Sequence, residues 1–216
     1  MQFHHSLLAA AVLAVVSTSA FGQAATGNVG LRGQLVPNSC SVTIANGGTY
    51  NVGALRMSDL NATTPGDRAP LTNAVTLACS GGTLLALHVN DNKEGTALGT
   101  TSADFGLGNA LTSGAPVGSY KLNIPAASVV VDSVAQPVIG SSDLTTWATT
   151  TGTSYWPKST SADAKYRAFG PVAGPLAFAS ATFSLEVLPT LNSRSNLLLD
   201  TTQPIDGSAT IEVHYL

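Results

Sequence analysis

The sequence predicts an all-β antiparallel sandwich. Three observations carry this reading. Apolar residues recur with a period of two in several short runs, clusters of Gly, Asn and Pro separate those runs, and no stretch after the first 22 residues shows helical periodicity. Composition agrees: only 10% of the 216 residues are charged, against about 25% in a typical globular protein. At the same time 44% are hydrophobic and 21 are glycine. A chain this apolar is not of the disordered class.

The elements follow in chain order. Leu7 to Val16 is an apolar run followed by the small and polar residues Ser17 to Gly22. It is too short for a membrane-spanning helix, which needs about 20 residues. A short apolar core before a small-residue site reads as a secretory signal peptide over residues 1–22. Val29, Leu31 and Leu35 then alternate with polar or small residues. Ser41–Ile44 continues that pattern after Cys40, Asn46-Gly47-Gly48 is a turn, and Thr49–Val52 is a further short strand. Residues 61–70 form a loop. Ala74–Cys79 is a strand turned by Ser80-Gly81-Gly82, and Leu84–Val89 returns to a turn at Asn90–Asn92. Ser119–Ile124 and Ser128–Val131 are strands. Residues 135–175 lack a clear period and read as a long, irregular excursion containing Trp147, Tyr155, Trp156, Tyr166 and Phe169. Ala181–Leu188 alternates cleanly, Leu197–Leu199 is a short strand, and Ala209–Tyr215 closes the set.

Cys40 and Cys79 are the two cysteines of the chain. In an exported protein one even pair predicts one disulfide. A net charge of −3 with nine basic residues excludes a basic footprint for nucleic acid. Catalysis has no motif to rest on. After leader removal the histidines are His88 and His214, each inside a strand pattern, and there is no Gly-x-Ser-x-Gly elbow, P-loop or dinucleotide fingerprint. No catalytic residue, cofactor or metal ligand is nominated, and the chain reads as a non-enzyme.

Several motifs together resemble a known group. Gly33-Gln-Leu-Val-Pro-Asn-Ser-Cys40 is similar to the opening of chaperone-usher pilins, which carry a glycine, two apolar residues and a cysteine at this spacing after an alternating extension. Asn51-Val-Gly-Ala-Leu55 resembles the segment after the first pilin turn, and Cys79 falls where the pilin disulfide partner lies. Ala209-Thr-Ile-Glu-Val-His-Tyr-Leu216 resembles the pilin closing strand with its penultimate tyrosine. Phe105–Gly108 and Gly118–Leu122 further resemble the uncharacterised beta-fimbrial group of such proteins. One departure is Gln203, which stands where pilins often carry a glycine, with Gly207 nearby.

The resemblance implies an incomplete immunoglobulin-like sandwich, residues 33–216, that lacks its last strand and carries the Cys40–Cys79 disulfide. It implies a donor-strand extension over residues 23–32, with Gly27, Val29 and Leu31 on one face. The closing strand, through Ala209, Ile211, Val213 and Tyr215, would form a groove wall that a periplasmic pilus chaperone contacts first. An outer-membrane usher and neighbouring fimbrial subunits are the further partners, and the cell-surface fimbrium is the destination. The alternative is a complete secreted sandwich that binds a host glycan or receptor through Trp147, Tyr155 and Trp156, although such aromatics more often cover a core edge.

Overall fold

Strands with one covered face keep an alternating sequence, and strands with both faces covered lose it. Both kinds occur here. The computed structural model describes residues 31–34, 36–150 and 154–216. Residues 1–36 and Pro37–Leu216 are separate units. In the first unit the described residues lie outside any strand, and Leu31 and Val36 are exposed. The expected leader and the donor-strand positions Gly27 and Val29 fall outside the described residues.

The second unit is built from β1 (Cys40–Ile44), β2 (Gly66–Asp67), β3 (Leu71–Thr83), β4 (Leu85–Asp91), β5 (Phe105–Gly106), β6 (Gly118–Asn123), β7 (Val130–Val131), β8 (Val134–Ala135), β9 (Val138–Ser141), β10 (Ala148–Thr149), β11 (Tyr166–Phe169), β12 (Phe178–Leu191) and β13 (Ala209–Tyr215). The first sheet runs β1-β3-β12-β6-β5, with β2 and β7 also on β12 and β8 on β7. The second runs β10-β9-β11-β4-β13. All strand pairs are antiparallel. The chain is therefore a two-sheet β-sandwich.

The long pair β3–β12 is the spine of the first sheet. Alternate residues Val75 and Leu77 on β3, and Ala181, Phe183, Leu185 and Val187 on β12, point into the core. Leu85, Leu87 and Val89 of β4 meet them from the second sheet. Cys40 and Cys79 sit directly opposite each other on β1 and β3, with Cα atoms 4.0 Å apart, and form the expected disulfide.

Four expectations from sequence are corrected. Ser80-Gly81-Gly82 does not turn but extends β3 to Thr83, and the break at Leu84 carries the chain from one sheet to the other. Thr49–Val52 is irregular. Leu197–Leu199 is no strand. A short helix, α1 (Arg194–Leu197), ends there with Leu198 in the left-handed region. Residues 135–175 are not an irregular excursion, because β9, β10 and β11 complete the second sheet.

That region seals one side of the core. Val138, Ile139, Gly140 and Ser141 are all buried. Trp156 is fully buried, its indole N–H donating to the Lys165 carbonyl (2.8 Å) and its backbone N–H to the Leu122 carbonyl (2.8 Å). Arg167 is buried as well. Its guanidinium donates to the carbonyls of Tyr155 (3.1 Å) and Ala164, and burial lowers its pKa to about 10.

Candidate functional site: an open groove beside β13

The opposite side of the sandwich is not sealed. β13 pairs with β4 along its whole length, from Ala209 opposite Asp91 to Tyr215 opposite Leu85. Among the described residues no strand pairs with its other edge. β1 of the first sheet, which meets β13 at Tyr215, ends at Ile44. Between them lies a groove with a cavity of about 620 Å³. One wall is Ile44 and the irregular segment from Gly48 to Leu55. The other is Ile205, Gly207, Ala209 and Ile211. Leu71, Tyr120, Leu122, Leu185 and Val187 of the first sheet form the floor. A second cavity of about 490 Å³ adjoins it, sharing Leu55 and Ile205 and reaching Met57, Leu60, Leu191, Leu197 and Leu199.

The chain builds this opening from residues that leave apolar surface half covered. Ile44, Tyr50, Leu55, Leu71, Leu199, Ile205, Ile211 and Val213 all pack on the core while remaining partly exposed. Each side chain fully covered contributes roughly 1.5–3 kcal/mol over an exposed one. A strand laid in the groove would collect the uncovered remainder, and the free N–H and C=O groups of the β13 edge would supply its backbone ladder.

Two tyrosines of the groove are held in the neutral form. Tyr50 donates its hydroxyl to the Leu185 carbonyl (3.2 Å). Burial pushes its pKa up to about 12, against an opposing hydrogen bond from Asn73. Tyr120 stacks on Phe105 at 5.3 Å between ring centroids and is held above the ordinary tyrosine range, by burial first and by the Asp91 carboxylate second. Neutral phenols suit an apolar occupant.

At its other end the seam is latched. The Cys40 N–H donates to the Tyr215 hydroxyl oxygen at 2.9 Å, joining β1 of one sheet to β13 of the other. The groove thus narrows at the disulfide and opens toward Ala209 and Leu199. Gly207 lines the wall where a Cβ would lie 2.7 Å from Leu107 and 2.9 Å from Tyr120. Gln203, which lines both cavities, accepts the Leu111 N–H (2.7 Å).

The four wall residues read from sequence come together here. Ala209 and Ile211 line the cavity, Val213 packs on the core, and Tyr215 forms the latch. Of the expected donor residues only Leu31 is described, and it is fully exposed. Sequence reasoning missed Tyr50 and Leu55 of the facing wall, and Ile205 beside β13. These are single apolar residues within loops, and the only signal they leave is their isolation among polar or small neighbours. Trp147 and Trp156 are buried and present no face to a sugar, so of the three aromatics in the carbohydrate-binding alternative only Tyr155 keeps a partly exposed side chain. On the outer face of the second sheet His88 pairs with Glu212 (2.9 Å), and Tyr166 lies between His88 and His214. Among the described residues no cluster of His, Cys, Asp or Glu is arranged to hold a metal.

Residues 29–113 match the family described as "Protein of unknown function (DUF1120)". That span contains β1, the irregular wall, β3 and β4, whereas β13 lies outside it. No curated protein matches the chain.

Proposed function

We propose that this chain is a structural subunit of a bacterial surface fimbria, exported through the periplasm and assembled by strand donation. A periplasmic chaperone holds the groove first. At an outer-membrane usher the N-terminal extension of a neighbouring subunit replaces it, and the fibre supports cell adhesion. The observation that carries this reading is the apolar groove beside the unpaired edge of β13. Edge strands of soluble proteins are normally blunted or covered, and here the uncovered edge coincides with the uncovered part of the core. The pilin resemblance of both chain ends, with the disulfide between β1 and β3, supports the same reading.

The physics is that of strand addition, with affinity from the backbone ladder and specificity from alternate side chains. An extension bearing Gly27, Val29 and Leu31 on one face would seat them along the groove. Covering Val29 and Leu31 contributes roughly 3–6 kcal/mol, to which the half-exposed wall residues they cover would add, and the total is comparable to the whole stability of a small domain.

The test is thermal denaturation of oxidised protein lacking residues 1–32, with and without a peptide of residues 23–32 or the corresponding peptides of neighbouring subunits. One such peptide is expected to raise the midpoint by roughly 10–30 °C. A midpoint indifferent to every peptide at saturating concentration would contradict the proposal.

A further inference from the structure

Resting on the fimbrial reading and deepening it, we infer that the mouth of the groove is also a docking lip for the body of a second copy of this chain, with Leu198 and Leu111 as its contacts. Leu198 follows α1 with φ 49° and ψ 43°, a left-handed conformation. That position usually takes glycine or asparagine, because a Cβ is strained there. The side chain gives the fold little burial in return, since Leu198 is 61% exposed while Leu197 beside it is buried. Leu111 is 71% exposed. Its loop is tied to the groove wall by the Leu111 N–H on Gln203 and by the Thr112 hydroxyl donating to Asp200 (2.6 Å). Leu198 thus stands between Leu197 and Leu199 of the second cavity's lining, and Leu111 is bonded to Gln203, another residue of that lining, so that two exposed leucines adjoin the cavity, one of them on a strained backbone. Strain without a structural return points to a function.

Strand register says which partner reaches this lip. Thr83 opposite Phe178, Leu85 opposite Tyr215, and Phe169 opposite Val138 all lie at one pole of the sandwich. The chain enters at that same pole, where Asn38 donates to the Gly82 carbonyl and Ser39 bonds Ser80. The turn at Asp132 and Ser133 is there too, pinned by the Asp132 carboxylate on the N–H groups of Ala179 and Ser180. Val134 (58% exposed), Val172 (54%) and Leu176 (36%) make this entry pole apolar. Leu198, Leu111 and the open end of the groove lie at the opposite pole.

A head-to-tail polymer propagates only if the entry pole of one copy meets the other pole of the next. Two entry poles in contact would use the same surface twice and stop growth. The linker from Gly33 to Ser39 spans at most about 25 Å, so a donating copy must sit close to the groove it fills. The latch between Cys40 and Tyr215 narrows the entry-pole end of the seam. The donor body therefore sits at the mouth, with its Val134 and Val172 against Leu198 and Leu111 of the acceptor.

The experiment uses the full chain. Leu198→Cys and Val134→Cys are introduced together, and assembly is followed by size exclusion and by gel electrophoresis without reductant after mild oxidation. A control carries Lys165→Cys with Val134→Cys, placing one thiol beside the outer face of the second sheet. A second variant, Leu198→Gly, relieves the left-handed strain. The expected results are a covalent ladder from the Leu198/Val134 pair and none from the control. Leu198→Gly should melt at or above the wild-type temperature yet need about tenfold more protein to assemble. Multimers that form with no ladder, or with unchanged assembly by Leu198→Gly, would overturn this inference and leave strand donation standing. A wild-type chain that forms no multimers at any concentration would overturn this inference, and would overturn strand donation as well only if no neighbouring subunit's peptide stabilises it.

Discussion

The two sides of this sandwich treat apolar residues in opposite ways. On the β9–β11 side, Val138, Trp156 and Phe169 are at most 1% exposed. On the β1–β13 side, Ile44, Tyr50, Leu55, Ile205, Ile211 and Val213 reach the same core and stop half covered. The difference is not one of hydrophobic content. The sealed side receives a loop that lays Trp156 across it and clamps itself with Arg167. The open side receives only the irregular segments 48–55 and 199–208. The chain thus covers its core where it supplies a lid, and the β13 side has the shape of a place awaiting one.

Substitutions can break this comparison. Trp156→Ala on the sealed side should cost about 3–5 kcal/mol, because it leaves a cavity that the surrounding sheet cannot fill. Ile211→Ala on the open side should cost only about 1 kcal/mol in the isolated domain, since its side chain is half exposed. Paired thermal denaturation reads both, and equal losses would erase the distinction. Ile211→Ala should matter more for a strand peptide, weakening binding about tenfold by calorimetric titration.

Removing the disulfide comes next in size. Cys40→Ser with Cys79→Ser opens a loop of 39 residues and should cost about 2–4 kcal/mol. Because Cys40 also donates to Tyr215 across the seam, the double variant should loosen the latched end. Hydrogen exchange at residues 213–216 would then rise more than at residues 85–89.

The smallest effect concerns pH. Burial raises the Tyr50 phenol to about 12 from its ordinary 10.0, so the folded state favours the neutral form. That contribution is intact below pH 10 and is lost as pH climbs from about 10 to about 12. Tyr50→Phe should flatten this part of the stability–pH curve. A bound strand should cover Tyr50 further and move the decline to higher pH. Denaturant melts at pH 9, 10 and 11 measure it.

How much of this was legible depended on whether a strand had one face or two in apolar surroundings. β13, β12 and β1 each alternate, and their positions were readable to within a few residues. β9 is covered on both faces and contains Gly140, and β11 contains the buried Arg167, so neither shows a period. Ser80-Gly81-Gly82 misled because glycine pairs mark turns more often than strands. Here the paired neighbour β12 carries an irregularity of its own between Phe178 and Ser180 that keeps the ladder going. For the groove, the β13 strand was legible, while the facing wall and Ile205 beside β13 were not. Tyr50, Leu55 and Ile205 are placed by tertiary packing, and a lone apolar residue in a loop has no period to reveal its direction.

The most direct test of the central claim is backbone hydrogen exchange across Ala209–Tyr215 in the isolated domain, before and after a saturating peptide of residues 23–32. Strand donation predicts that the outward-facing amides of β13 exchange freely alone and gain protection with the peptide, while those bonded to β4 are protected throughout. Amides already protected on both edges of β13 without peptide, or still unprotected with this peptide and with those of neighbouring subunits, would contradict the account.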